Sequence, residues 1–276
     1  MSKLEVLAAT MNQNNLDKYY RMNMQTDAVF ANQSDSHSYS EENINGNTVK
    51  MITTPYRGVG KNRNTAVLYA AAEYLLFADD DMKYTDGYED GIINAFDELK
   101  DADIIIFGCD LTKNNVAYES IQNKIKRLNV FNTFKYPAHV IAARKKSIEK
   151  ANIWFTQNFG GGTIYGSGED SLFLKECLDK KLRIYSHSFK IGSCAKDEST
   201  WFKGYDEKYF YDKGALCAAM FPALKYFAAA KLLLKFKKLS ALTWRKSSRL
   251  MLNGMKGFKK LLSYDDCVKI KPEKGK

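Results

Sequence analysis

Runs of apolar residues closed by polar turns mark out alternating strands and helices along the first half of the chain. Residues 3–10 (KLEVLAAT), 27–32 (DAVFAN), 48–53 (TVKMIT), 73–78 (EYLLFA) and 102–109 (ADIIIFGC) read as short buried strands. Between them, residues 15–24, about 62–72 and 86–99 carry helical patterns. Strands alternating with helices predict an α/β fold of Rossmann-like type, a mainly parallel sheet covered on both faces. The second half is less regular. A glycine cluster in residues 155–168 precedes a helix at about 169–180, a strand at 182–187 and a polar, aromatic loop at 196–210. In open sheets of this kind ligands bind beyond the carboxyl ends of the strands. Asp35 and the run Asp79-Asp80-Asp81 stand at such ends.

Composition adds one asymmetry. The chain has 276 residues and a net charge of +10. Eleven basic residues and no acidic one fall between Gly214 and Tyr264; the other 31 Lys and Arg nearly balance the 32 acids. A near-neutral body, residues 1–213, is therefore expected to carry a basic tail, residues 214–276. The body is expected to divide into two halves at about residue 110. Five scattered cysteines without Cys-x-x-Cys spacing argue against a disulfide framework or a zinc site. No secretory signal is evident and no apolar run reaches the ~18 residues of a spanning helix. These features point to the cytoplasm.

Three motifs carry candidate chemistry. FADDDM, residues 77–82, delivers three carboxylates into one turn. Mg²⁺ or Mn²⁺ is commonly held by one or two carboxylates plus substrate phosphates. Asp79 and Asp81 can share that task, one on the metal and one on a ribose or through water; a helix N-cap is the plainer use of such a turn. RGVGKNRN, residues 57–64, places Arg57, Lys61 and Arg63 in and after a flexible loop entering a helix, which suits a diphosphate. GSGEDSLF, residues 166–173, begins a helix with Glu169 and Asp170. Either can act as general base, or both can simply favour the helix dipole. Trp201 can stack on a sugar or serve as core. His37, His139 and His187 show no ligand spacing and read as surface or core residues.

Taken in order, these pieces, with STWF at residues 199 to 202, resemble the family 2 glycosyltransferases of GT-A type, over roughly residues 3–210, in a variant similar to bacterial enzymes of cell-surface polysaccharide synthesis; the resemblance makes the body up to about residue 110 a nucleotide-sugar half and the rest, to residue 213, an acceptor half. The resemblance implies inverting transfer from a nucleoside-diphosphate sugar, commonly a UDP-sugar, to an acceptor hydroxyl of a saccharide or lipid-linked saccharide. It implies Thr10 and Asp35 around the base and ribose, with Arg57, Lys61, Arg63, Asp79 and Asp80 also on the nucleotide-sugar side. Asp81 with Asp79 would hold Mn²⁺ or Mg²⁺. Asp170 would be the base, Glu169 an orienting carboxylate, and Gly168 and Trp201 would meet the acceptor. Two departures stand out. The neighbourhood IGSCAKDES lacks the histidine with which many relatives complete the metal shell, leaving Cys194, Asp197 or water. The first strand ends in AATMN instead of a proline-bearing PTYN.

The tail alternates Lys231, Lys235 and Lys238 with Leu232, Phe236 and Leu239, and continues through Trp244, Leu250, Met251, Phe258 and Leu261. A basic, aromatic-bearing amphipathic helix fits an anionic membrane surface, so a peripheral place on the inner face of the cell membrane is expected; a helix packed on the body is the other reading. Nucleic acid is not expected, since the charge is confined to the tail and no recognition motif accompanies it. Two rivals remain. A sugar-phosphate nucleotidyltransferase would need an N-terminal glycine-rich loop, which LAATMNQNN does not supply. A polybasic module without catalysis is the other.

Overall fold

The computed structural model describes residues 2–113, 116–121, 124–195, 204–236 and 239–269. Its strands are β1 (Leu4–Met11), β2 (Asp27–Gln33), β3 (Ser38–Ile44), β4 (Asn47–Thr54), β5 (Tyr74–Asp79), β6 (Met82–Tyr84), β7 (Ile104–Lys113), β8 (Val116–Ile121), β9 (Lys126–Arg127), β10 (Ile141–Arg144) and β11 (Ile184–Ala195). The helices are α1 (Asp17–Arg21), α2 (Val59–Tyr69), α3 (Tyr88–Glu98), α4 (Lys145–Ala151), α5 (Glu169–Asp179), α6 (Glu207–Met220), α7 (Lys225–Phe236), α8 (Trp244–Phe258) and α9 (Tyr264–Lys269).

All the strands join one sheet, ordered β3-β4-β2-β1-β5-β10-β7-β11-β6, with β8 on β7 and β9 on β11. Neighbours β4, β2, β1 and β5 are parallel, as are β7 and β11. The central strands β1, β2, β5 and β7 are buried over most of their length, which is why they read as continuous apolar runs. β10 lies antiparallel between β5 and β7. Four residues long, it left no periodicity to read. A second element absent from the sequence pattern is β3, which forms a hairpin with the expected strand β4. Its turn, Asn45–Gly46, has φ of 53° and 87°, the positive angles that a two-residue hairpin of this hand requires.

The C-terminal helices pack on the body. Gly214 of α6 and Gly254 of α8 let the two backbones meet: a Cβ on Gly254 would lie 1.9 Å from the Tyr211 carbonyl oxygen, and one on Gly214 2.0 Å from that of Met251. Phe210, Cys217, Leu233, Leu250, Met251 and Met255 form the buried contact. α6 runs from Glu207 to Met220, straight through the boundary expected between residues 213 and 214. Helical hydrogen bonding and this glycine-mediated packing continue across that point, so tail and body share a core. No described helix is long and apolar enough to cross a membrane.

Candidate active site

The carboxyl ends of the parallel strands meet along one edge. β1 ends at Met11, β2 leads to Asp35, β4 leads to Arg57, and β5 ends on Asp79. Behind this edge, α2 presents three consecutive buried polar residues, Asn62, Arg63 and Asn64. Asn62 Nδ2 donates to the Thr10 carbonyl at 3.0 Å, while Asn64 exchanges two hydrogen bonds with the Phe155 backbone. The helix is thus tied to β1 on one side and to the loop before α5 on the other.

Arg63, only 2% exposed, sits between them and gathers the acidic residues. Its Nη1 donates to Asp170 Oδ1 at 2.7 Å and reaches Glu169 Oε1 at 3.3 Å; its Nη2 donates to Asp79 Oδ1 at 2.7 Å. The Phe155 ring lies 5.2 Å from the guanidinium and is itself stacked on Phe173. Asp79 Oδ2 lies 3.1 Å from His139 Nδ1, in the turn before β10. One buried cation therefore joins the end of β5 to the start of α5, segments about ninety residues apart in the chain.

The electrostatics follow from this arrangement. Burial opposes charge on Arg63, but Asp170, Asp79 and Glu169 outweigh it and raise its pKa. Burial would likewise raise Asp79, yet Arg63 and His139 hold it well below the usual carboxylate range. His139 is disfavoured as a cation by burial but pushed up to about 10 by Asp79, so it is an imidazolium at neutral pH. Asp170 goes the other way. Burial, with repulsion from Glu169 and Asp79, exceeds the pull of Arg63 and lifts it to about 7. Asp81 is raised by burial and by Asp79. It makes no ion pair among the described residues, though His139 pulls its pKa the other way; its neighbour is the Cys194 thiol, which burial and Asp81 keep protonated.

The other expected residues fall into three groups. Arg57 Nη2 pairs with Asp35 Oδ1 at 2.6 Å, at the exposed rim. Asp80 is paired at 2.8 Å with Lys18 of α1, and Lys61 lies in the first turn of α2. Gly168, with φ of 120°, caps α5; a Cβ there would lie 2.5 Å from Leu216 of α6. Two further expected residues are buried. Thr10 is 3% exposed, and its hydroxyl faces the Ala31 carbonyl and Asn32, so it supports the strand end from below. Arg63 is 2% exposed and turns Nη1 and Nη2 to three carboxylates, Asp170, Glu169 and Asp79, while its Nε is buried without a partner. Trp201, Phe202 and Asp197 lie outside the described residues. His139 and Lys18 are the functional candidates that sequence reasoning passed over; neither has a local signal, since their partners lie 60 and 62 residues away.

Fit to a divalent cation depends on what remains free. Both Asp79 oxygens are engaged, by Arg63 and His139, while the Asp81 carboxylate makes no ion pair among the described residues. No group of three or more His, Cys, Asp or Glu among the described residues has the geometry to hold a metal. A cation here would rest on Asp81 and on oxygens brought by a ligand, which suits Mg²⁺ or Mn²⁺ with a phosphate-bearing substrate.

This fold, with its carboxylate cluster at the strand ends, is that of the GT-A glycosyltransferases. It is similar to S. aureus TarS 1–349 in complex with UDP-GlcNAc, at a TM-score of 0.64 and 16% identity over 97% of this chain and 83% of that one. It also resembles the mannosyltransferase PcManGT from Pyrobaculum calidifontis, in complex with GDP-Man and Mn²⁺, at 0.50 and 12% over 93% and 87%. No curated protein sequence is similar enough to count as a match. Residues 34–153 match the family model of glycosyl transferase family 2. That segment runs from Asp35 through Arg63 and Asp79 to His139. Over that segment, less than half of the chain, the sequence is similar to glycosyl transferase family 2.

Proposed function

We propose that the protein transfers a sugar from a nucleoside-diphosphate sugar, a UDP-sugar by preference, to an acceptor hydroxyl with inversion at the anomeric carbon. The observation that carries this reading is Arg63 holding Asp79, Glu169 and Asp170 together at the strand ends. The structures it resembles support a nucleotide-sugar donor, since one is in complex with UDP-GlcNAc and another with GDP-Man and Mn²⁺.

Asp170 is the base. Its side chain is 23% exposed against 13% for Glu169, and its raised pKa makes it a stronger proton acceptor than an ordinary carboxylate. It takes the proton of the acceptor hydroxyl while that oxygen bonds to the anomeric carbon and the bond from that carbon to the diphosphate breaks. Glu169, fixed by Arg63 and by the Gly168 amide at 3.0 Å, orients the reacting sugars. Asp81 would hold a divalent cation, which when bound supplies positive charge to the leaving diphosphate. Lys61, with no ion pair among the described residues, and Arg57 at the rim add to that charge.

The acceptor belongs, on this reading, to surface polysaccharide or glycolipid, with the enzyme resting on the inner face of the cell membrane. Support comes from the outer face of the C-terminal helices, where Phe227 (72% exposed) and Leu234 (70%) stand among exposed Lys231, Lys235, Arg245, Arg249 and Lys256. Turnover of UDP-sugars with Mn²⁺ tests the catalytic claim. Release of UDP that requires both the metal and an acceptor is expected, with loss on adding a chelator. Turnover unaffected by the chelator would remove the metal from the scheme, and none with any nucleotide sugar would remove the reaction.

A further inference from the structure

One cation close to the Glu169–Asp170 corner makes no ion pair among the described residues. Lys213, on the face of α6 that packs against the glycine-rich segment, points its Nζ at Ser167 Oγ, 3.0 Å away. Ser167 precedes Gly168, Glu169 and Asp170 in the chain, so this ammonium stands at the lip of the site. It makes no ion pair among the described residues, and its only other contact of note is the Tyr209 ring, 5.2 Å from Nζ. Burial lowers its pKa, with Asp212 and Glu169 opposing and Lys235 adding.

The acids nearby are already committed. Asp212 Oδ2 accepts from Lys208 Nζ and from the Gly166 amide, which lies 2.9 Å away; its Oδ1 is buried without a donor. Glu169 is bound to Arg63 and to the Gly168 amide. Lys208, Lys213 and Lys235 are the cations of this corner and Asp212 and Glu169 its anions, an excess of one positive charge. A partly desolvated ammonium held by a hydroxyl alone is costly unless something negative completes it. Its hydrogen-bond partner Ser167 stands three positions before Asp170 in the chain, while the Asp35–Arg57 pair lies at the exposed rim.

We propose that Lys213 and Ser167 bind an anionic group, a phosphate or a carboxylate, on the acceptor, next to the hydroxyl that Asp170 deprotonates. The acceptor is then a polyol or sugar carrying a phosphate or an acidic group. This rests on the transferase reading above. A lysine suits the role because its compact charge and rotatable donors fit either anion, while Ser167 fixes where the ammonium stands.

The test is calorimetric binding to the full chain saturated with UDP and Mn²⁺, so that the donor's anion site is filled. The probes are glycerol 3-phosphate and glucuronate, with glycerol and glucose as their neutral counterparts. Anionic probes are expected to bind at least about tenfold tighter than the neutral ones, a preference lost in Lys213→Gln and largely kept in Lys213→Arg. The phosphate and carboxylate arms show which anion the corner takes. Equal affinity for charged and neutral probes, no binding of either anion, or an unchanged preference in Lys213→Gln would overturn the proposal. A melting temperature and a UDP affinity like those of the unmodified chain show that the variant is folded. Failure of UDP to bind the unmodified chain at all would instead strike the transferase reading.

Discussion

At the scale of single residues, the account turns on Arg63 as a buried counter-ion. Three carboxylates lie within 2.7–3.3 Å of its guanidinium. Removing the charge leaves them facing one another in a partly dry site, a loss that typically costs about 3–5 kcal/mol. Arg63→Met is therefore expected to lower stability by about that amount in a urea titration and to abolish transfer. Arg63→Lys should rescue only part of it, since one ammonium cannot span both Asp79 and Asp170 in the guanidinium's fork. Stability within about 1 kcal/mol of the original in Arg63→Met would contradict the counter-ion role. The carboxylates were legible in the sequence because each stands next to a strand end or a helix start. Their common partner was not: Arg63 read as a phosphate ligand, since a basic residue after a glycine loop has the same local appearance in either role. His139 was invisible for a related reason, as its only distinction is a contact with Asp79 across 60 positions.

At the scale of elements, the strands of the first half could be read because the central sheet is buried on both faces and writes itself as apolar runs. What failed to show was short or two-sided. β10 has four residues, and β3 is exposed along most of its length, so neither leaves a run. The Asn45–Gly46 pair was the available signal for the β3–β4 hairpin. In the tail, the apolar stripe of α8 was visible, but its partner was not. Leu250, Met251 and Met255 turn toward α6, and the side that remains in solvent is basic. The two glycines at the α6–α8 contact explain why the tail cannot be detached cleanly. Gly254→Val is expected to force the helices apart and lower the unfolding free energy by about 1–3 kcal/mol or more, as overpacked cores do. A thermal melt that did not move would show that the helices have room the backbone contact denies them.

At the scale of the whole molecule, a sheet with its ligand edge on one side is joined to a basic helical flank that shares its core. Deleting α7 to α9 would expose Phe210 and Cys217 of α6, so membrane association is better tested by charge. Reversing Arg245, Arg249 and Lys256, all exposed on α8, to Glu leaves the buried stripe intact. Each Lys or Arg near an anionic leaflet is worth about 1 kcal/mol, so the triple variant should lose more than a hundredfold in affinity for phosphatidylserine vesicles. Binding unchanged by the reversal would leave the flank as a packing element alone. The measurement that bears most directly on the central claim is single-turnover transfer by Asp170→Asn, read alongside the binding of UDP with Mn²⁺. The nucleotide should bind as it does to the unmodified chain, while transfer falls by about 10²–10⁴-fold for want of a base. Transfer at the original rate would show that the carboxylate Arg63 draws to the end of β5 is not the one that takes the proton.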